Sequence, residues 1–284
     1  MKPILIGETP EGDFEFGELY HLATALILKP ELKCAFSGCP EEHKHYKHYI
    51  NFLEKFSQNK INIVCPPPSK VSKSKYLTMD YTAEIFKRYS GQPNNVHKRF
   101  NEFIYPNRFK DFGDSLGLKK SEKHCLLWIR NSTDPPYKEE RNITSIAINQ
   151  ISNLVLDANI KPILIGPQIG KYTHRTDNLI EFYKYEPYKD PLNQLSLIKY
   201  LREQYDLRFS IGMMSGSMDG PAFAFGLRTV YLARDNDNNR MKKVCKTFSQ
   251  FTHIPIKFNK YFVCLSQDEL EKIKKIIMDI IHSS

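Results

Sequence analysis

From residue 125 to residue 281 the chain repeats one pattern: a short apolar run, a loop, then a segment of helix length with apolar positions along one face. The runs are CLLWI at 125–129, PILI at 162–165, RFSIG at 208–212, TVYL at 229–232 and IPIKF at 254–258. Helical segments are predicted over 138–158, 191–204, 221–225, 240–251 and 267–281, with residues 180–183 a further short apolar run. In the first of these helices Ile146, Ile148, Ile151, Leu154 and Val155 lie mostly along one face. Ser266 ahead of Asp268 and Glu269 is a helix-start signal for the last. Runs that are apolar without alternation are buried on both faces, and parallel strands need a crossover of helix length between them. Such a series folds as a parallel sheet covered by helices on both sides.

The first part of the chain shows a shorter version of the same order. Residues 3–6 read as a strand, 19–28 as a helix, 34–36 as a second strand, 41–56 as a helix and 61–65 as a third strand, closed by Pro66, Pro67 and Pro68. From 69 to about 117 the pattern loosens into lysine-rich loops and two helices, near 79–89 and 96–104. At 284 residues the chain has length for two unequal domains. The expected division is an α/β domain over 1–118 and a second over 119–284, two Rossmann-like domains facing each other across a cleft.

In open α/β sheets ligands bind beyond the carboxyl ends of the strands, so the loops after strands carry the chemistry. The richest is the turn Ser215, Gly216, Ser217, Met218, Asp219, Gly220. Its small residues allow a ligand close to the backbone, its hydroxyls can donate to phosphate oxygens, and a helix starting near Asp219 or Gly220 would aim free N–H groups at an anion. The same residues could instead be a tight turn that packs a helix on the sheet. Arg130 and Asn131, followed by Ser132 and Thr133, come directly after the strand at 125–129; a guanidinium there can grip a diphosphate with two parallel hydrogen bonds, or form a surface salt bridge. Gly166 allows close approach of a base or sugar, or serves a simple turn. In the first half Asp13, Glu15 and Glu18 flank Gly17 where a loop opens onto a helix. A carboxylate there can act as a general base, and acidic residues are also favoured at a helix start by its dipole.

The formal charge of +9, from 41 Lys and Arg against 32 Asp and Glu, favours an acidic partner: a phosphate-bearing ligand, nucleic acid or anionic lipid. The basic residues are spread along the chain, as on a solvated lysine-rich surface. No apolar run reaches eighteen residues, and the opening MKPILIGETPEGD turns polar too soon for a signal peptide, so no membrane-spanning segment is expected. The six cysteines (Cys34, Cys39, Cys65, Cys125, Cys245, Cys264) form no CxxC pair and are expected as free, buried thiols of a cytoplasmic protein.

Three segments resemble GT-B glycosyltransferases, which pair two Rossmann-like domains and bind a nucleotide-sugar donor mainly in the second. MSGSMDGPAFAFGLRTVYL is similar to the donor-phosphate turn and helix of heptosyltransferase-like and O-fucosyltransferase-like members, FGELYHLATALI to their N-terminal glycine-acid loop, and LLWIRN to the strand carrying a phosphate-binding arginine. The resemblance implies that Glu18 stands at the position of the acidic base, with Asp13 and Glu15 as substitutes, that Arg130 grips the phosphates, and that Ser215 and Ser217 belong to the phosphate turn. It also implies sugar transfer from a nucleotide-sugar co-substrate to an acceptor glycan or protein, with no separate cofactor and no metal. A last helix crossing back to the first domain is a further feature of such enzymes.

Other motifs compete. Asp235, Asn236 and Asp237 form a DxD triplet that could hold a metal against a diphosphate, and are also ordinary loop residues. His43, His45 and His48 could suggest a metal site, but the lysines between them disfavour a cation and fit a solvated helix face. Met213 and Ser217 stand where a G-x-S-x-G nucleophile elbow around Ser215 needs glycine. The alternatives to a transferase are a nucleotide-sugar epimerase or pyruvyl-transferring enzyme on the same fold, and a non-catalytic basic nucleic-acid-binding protein. For the last, residues 70–81 and 183–189 are rich in Lys and Tyr, but no RRM, KH, zinc-finger or helix-turn-helix signature is present.

Overall fold

The computed structural model describes residues 2–6, 16–37, 44–64, 75–89, 93–131, 142–169, 179–181, 184, 190–213, 215–234, 239–256 and 264–283. The first sheet is parallel, in the order β1 (Ile4–Ile6), β2 (Cys34–Ser37), β3 (Asn62–Val64). Helix α1 (Phe16–Leu28) follows β1 and α2 (Lys44–Glu54) follows β2. On the free side of β1, Leu77 forms a parallel bridge to Ile4, exchanging backbone hydrogen bonds with Pro3 and Leu5 at 2.9 and 3.0 Å. The chain thus winds outward from β1 on one side and then returns to its other side.

Helices α3 (Tyr81–Arg88) and α4 (Pro93–Asn101) occupy the two segments expected as helical. A 3-10 turn at Pro106–Phe109 and α5 (Lys110–Ser115) follow, where a loop is predicted. Lys110 to Ser115 holds a glycine and two aspartates, so its helical propensity is poor; packing decides instead, with α5 and the 3-10 turn lying on the helix at 191–204. Asp114 accepts the hydroxyls of both Tyr200, at 2.8 Å, and Tyr205 from that contact.

The second sheet holds β4 (Lys123–Trp128), β5 (Ile160–Ile165), β6 (Leu179–Ile180), β7 (Leu207–Met213), β8 (Arg228–Arg234) and β9 (Phe251–Ile256), all parallel, in the order β6-β5-β4-β7-β8-β9. Its helices are α6 (Ser145–Asp157), α7 (Pro191–Gln204), α8 (Gly216–Phe225), α9 (Asn239–Thr247) and α10 (Gln267–His282). Side chains alternate between two cores: Leu126 and Trp128 face one, Cys125, Leu127 and Ile129 the other. The core under α6 and α10 belongs to the second sheet alone. The other runs without a break from Ile4, Tyr20 and Phe36 of the first half to Trp128, Phe223 and Tyr231 of the second. Two Rossmann-like units in tandem are therefore present, and under the strand exits they are joined by packed helices, α1 on α8 and α3 on α9.

Several sequence expectations change. Ile146 is 55% exposed, because the buried stripe of α6 is Ala147, Ile148, Ile151 and Val155. Phe251 opens β9 instead of ending α9, and pairs with Thr229. Helix α10 does not cross back: Ile273, Ile277 and Ile280 pack with α6 and the second sheet. Its expected start holds, with Ser266 and Glu269 forming a reciprocal capping box. Cys34 and Cys125 are buried free thiols, with burial pushing Cys34 up to about 12, whereas Cys245 is half-buried and Cys264 exposed. Cys39 and Cys65 lie outside the described residues. Among those residues no helix is long and apolar enough to cross a membrane.

His124 opens the second sheet fully buried, its Nδ1–H donating to the Tyr205 carbonyl at 2.5 Å. Burial holds its pKa below the ordinary 6.5, outweighing the opposing effect of that carbonyl. The unfolded chain therefore takes up a proton near pH 6.5 that the folded chain refuses, so His124 leaves stability intact above pH 6.5 and lowers it as the pH falls below that value. Thermal unfolding followed from pH 7.5 down to 5 is expected to show a falling midpoint, with a shallower fall in His124→Gln; identical slopes would contradict the assignment.

Candidate functional site

The order β6-β5-β4-β7-β8-β9 is that of a doubly wound sheet: the chain leaves β4 toward β5 and β6, then returns beside β4 at β7 and continues the other way. The crossovers after β4 and β7 diverge to opposite faces, which opens a crevice at the carboxyl ends of these two neighbours. Trp128 of β4 is in register with Gly212 of β7, and their backbones are so close that a Cβ on Gly212 would stand 2.7 Å from the Trp128 carbonyl oxygen. Arg130 lies two residues beyond Trp128 and Ser215 three beyond Gly212. The two segments singled out in the sequence thus emerge side by side at the switch point. Arg130 is half-buried, with its carbonyl accepting from Ile143 N at 3.0 Å, and Asn131 is exposed.

The expected cradle differs in form. A proline is favoured at the first helical position, which makes Pro221 look like a helix start. Helix α8 begins instead at Gly216, with Pro221 inside it and Gly226 closing it in the left-handed conformation at φ 68°. Residues 216–220 are therefore its first turn and a half. Ser215 is the N-cap residue and makes no side-chain cap hydrogen bond, so its hydroxyl is not spent on the helix. Ser215, Gly216 and Ser217 are half-buried at the rim, and the first amides of a helix have no partner within it.

Met218, Asp219 and Gly220 depart from the expectation of ligand contact. All three are buried, and Asp219 and Gly220 meet α1 of the first half. A Cβ on Gly220 would stand 2.6 Å from the Tyr20 ring of α1, so glycine here serves helix packing. Asp219 accepts a hydrogen bond from the Tyr231 hydroxyl at Oδ1, and its Oδ2 lies 2.8 Å from His21 Nε2. Burial, then the Asp219 carboxylate, holds the Tyr231 phenol well above its ordinary pKa, which keeps it a donor. Of the expected cradle, only Ser215, Gly216 and Ser217 stay at the open rim. Gly166 also has a structural reason: its φ is 127° and a Cβ would stand 2.2 Å from the Ile129 carbonyl oxygen.

Across the seam, Glu18 lies half-buried in the first turn of α1. Asp13 and Glu15, the other candidate bases, lie outside the described residues, as do His43 and the triplet Asp235, Asn236, Asp237. His48 is exposed. Among the described residues no group of three His, Cys, Asp or Glu is arranged to hold a metal. Two adjoining cavities of about 370 and 410 Å³ lie elsewhere, between α3 and α9, where Lys29, Lys87, Arg88, Lys243 and Lys246 surround Glu84. Most of these residues lie at or just past the C-terminal ends of α1, α3 and α9, where cations complement the helix dipole. Those ends are remote from the strand exits.

The residues that sequence reasoning missed are His21 and Tyr231. Helix α1 is apolar nearly all round, which requires an imidazole within it to be buried and to find a partner. The partner's identity needs the fold, since Asp219 is 198 residues away.

Fold and site together define a doubly wound α/β protein, GT-B-like in its tandem arrangement, with an open helix start at its switch point. No family model and no curated protein matches the chain. Among solved structures it is similar to the glycosyl transferase family 9 from Veillonella parvula DSM 2008, at 9% identity and a TM-score of 0.48 over 100% of this chain and 98% of that one. It is also similar to E. coli heptosyltransferase WaaC with ADP, at 9% identity and a TM-score of 0.44 over 99% and 100%.

Proposed function

We propose that this protein is a glycosyltransferase that takes a sugar from a nucleotide-sugar donor to an acceptor hydroxyl on a glycan or protein. The observation that carries the reading is that Arg130 and the start of α8 follow two neighbouring strands at the β4/β7 switch point. A diphosphate needs several donors converging from different directions. The free amides of Gly216 and Ser217, the hydroxyls of Ser215 and Ser217 and the Arg130 guanidinium are of the right kind and stand at adjoining strand exits. In the reaction the bond between the anomeric carbon and the diphosphate oxygen breaks, a bond from that carbon to the acceptor oxygen forms, and the acceptor proton goes to a carboxylate. Glu18 is the first choice for that base, with Asp13 and Glu15 behind it. Arg130 and the α8 amides stabilise the charge that develops on the departing diphosphate, with no divalent metal and no cofactor beyond the donor itself. The cytoplasm, where nucleotide-sugars are made, is the compartment this reading favours.

The test is thermal unfolding in the presence of UDP-, GDP- and ADP-sugars. One nucleotide family at saturating concentration is expected to raise the midpoint by roughly 5 °C, as a ligand at about 100 times its Kd should. Arg130→Ala is expected to weaken that binding about 10- to 100-fold, the loss of a charge-assisted hydrogen bond. A folded wild-type protein that responds to no nucleotide-sugar would overturn the reading.

A further inference from the structure

Helix α1 meets α8 at two consecutive residues of each. Tyr20 lies flush on Gly220, and His21 Nε2 reaches Asp219 Oδ2 at 2.8 Å. The contact is dry: His21 is 1% exposed and Asp219 4%. Both carboxylate oxygens are engaged, the second by Tyr231 from β8, and the imidazole is walled by Phe86 of α3 and Phe223 of α8, at ring distances of 5.8 and 5.2 Å. A hydrogen-bonded carboxylate this buried adds little net stability against an apolar packing of equal volume, because desolvation offsets the attraction. Its hydrogen bonds are directional, however, and they fix one helix against the other. Glu18 lies three residues before His21, on the same helical stripe; Ser215 and Gly216 lie four and three before Asp219. One contact therefore sits a single turn behind both the acidic start of α1 and the anion-competent start of α8.

We propose that His21 and Asp219 are a positioning pair that sets the first turn of α1, with Glu18, against the cradle of Ser215, Gly216 and Ser217. The role in turnover rests on the glycosyltransferase reading; the mechanical role does not. Neither side chain touches the substrates: the pair acts through the two helix starts.

The test uses the full chain and three variants. His21→Gln carries an amide nitrogen to the Nε2 position and keeps the bond to Asp219. The double variant His21→Leu/Asp219→Leu replaces the pair by apolar volume. Asp219→Asn keeps the volume and forfeits one of the two acceptor positions, and serves should the double variant not fold. The first readout is amide hydrogen exchange without ligand. The double variant is expected to exchange at least tenfold faster at residues 16–20 and 215–218 with β5 and β7 unchanged, Asp219→Asn to show the same local pattern in smaller measure, and His21→Gln to match wild type. The second readout is hydrolysis of the nucleotide-sugar that stabilises the wild-type protein, with water in the acceptor's place. The double variant is expected to lose at least tenfold in kcat with KM within threefold, and His21→Gln to stay within threefold in both. Wild-type exchange and turnover without the pair, or faster exchange spread evenly over the chain, would overturn the proposal. If the wild-type protein hydrolyses no donor, the glycosyltransferase reading fails, and the exchange pattern alone decides whether the pair holds the two helix starts.

Discussion

Replacing His21 alone with leucine is expected to lower the unfolding free energy by about 3–5 kcal/mol, and adding Asp219→Leu to it is expected to restore most of that loss. The single substitution strands a carboxylate in an interior lined by Phe86, Phe223, Phe248 and Phe251, with the Tyr231 hydroxyl still donating to it. Water that would solvate an exposed carboxylate cannot reach a residue 4% accessible, so nearly the full desolvation cost is felt. The double substitution removes the charge together with its partner. The two losses should therefore be strongly non-additive, as for residues in direct contact. Urea unfolding of the wild type, both single variants and the double variant measures this cycle directly. A single-variant loss under about 1 kcal/mol, or losses that simply add, would mean that the contact is not the buried pair described.

Gly166→Ala is expected to cost about 3 kcal/mol or more, from positive φ strain and overpacking together. The glycine ends β5 at φ 127°, its N–H donating to Ile180 at 3.0 Å while the neighbouring Ile165 carbonyl accepts from Ile129 at 2.7 Å. The backbone is thus pinned on both sides, and a methyl group would have to displace the Ile129 carbonyl rather than a flexible side-chain end. The same urea titration checks it, and a stability within about 0.5 kcal/mol of wild type would show that the strand exit can relax. The glycine's role is then fold-borne, whatever base or sugar approaches it.

The sequence showed the sheet-forming runs well, for a physical reason. Strands buried on both faces need unbroken apolar runs, and CLLWI, PILI and TVYL leave little else to be. The start of helix α7 was legible because Asp190 caps it, accepting from Leu192 N at 2.8 Å, and Pro191 opens it. Helix α8 misleads because glycine and serine suit turns by local propensity, whereas here they are small to admit Tyr20 and to leave the rim open. The α5 segment has no local helical signal at all; its order comes from α7. At the site, Arg130 and Ser215 could be found because strand exits are where ligands go, but their adjacency depends on β7 returning beside β4, which only the strand order reveals. Asp219 shows the opposite limit: an acid next to a glycine-serine turn suggests ligand chemistry, and a histidine far away in sequence claims it for the interior.

On the proposed function, the crevice between the exits of β4 and β7 holds a nucleoside diphosphate. A crystal of the protein soaked with the nucleoside diphosphate of the stabilising donor tests it in one measurement. The two phosphates are expected at the amides of Gly216 and Ser217 with the Arg130 guanidinium against them. Phosphates bound instead in the lysine-lined cavities between α3 and α9, with the β4/β7 crevice unaltered, would contradict it.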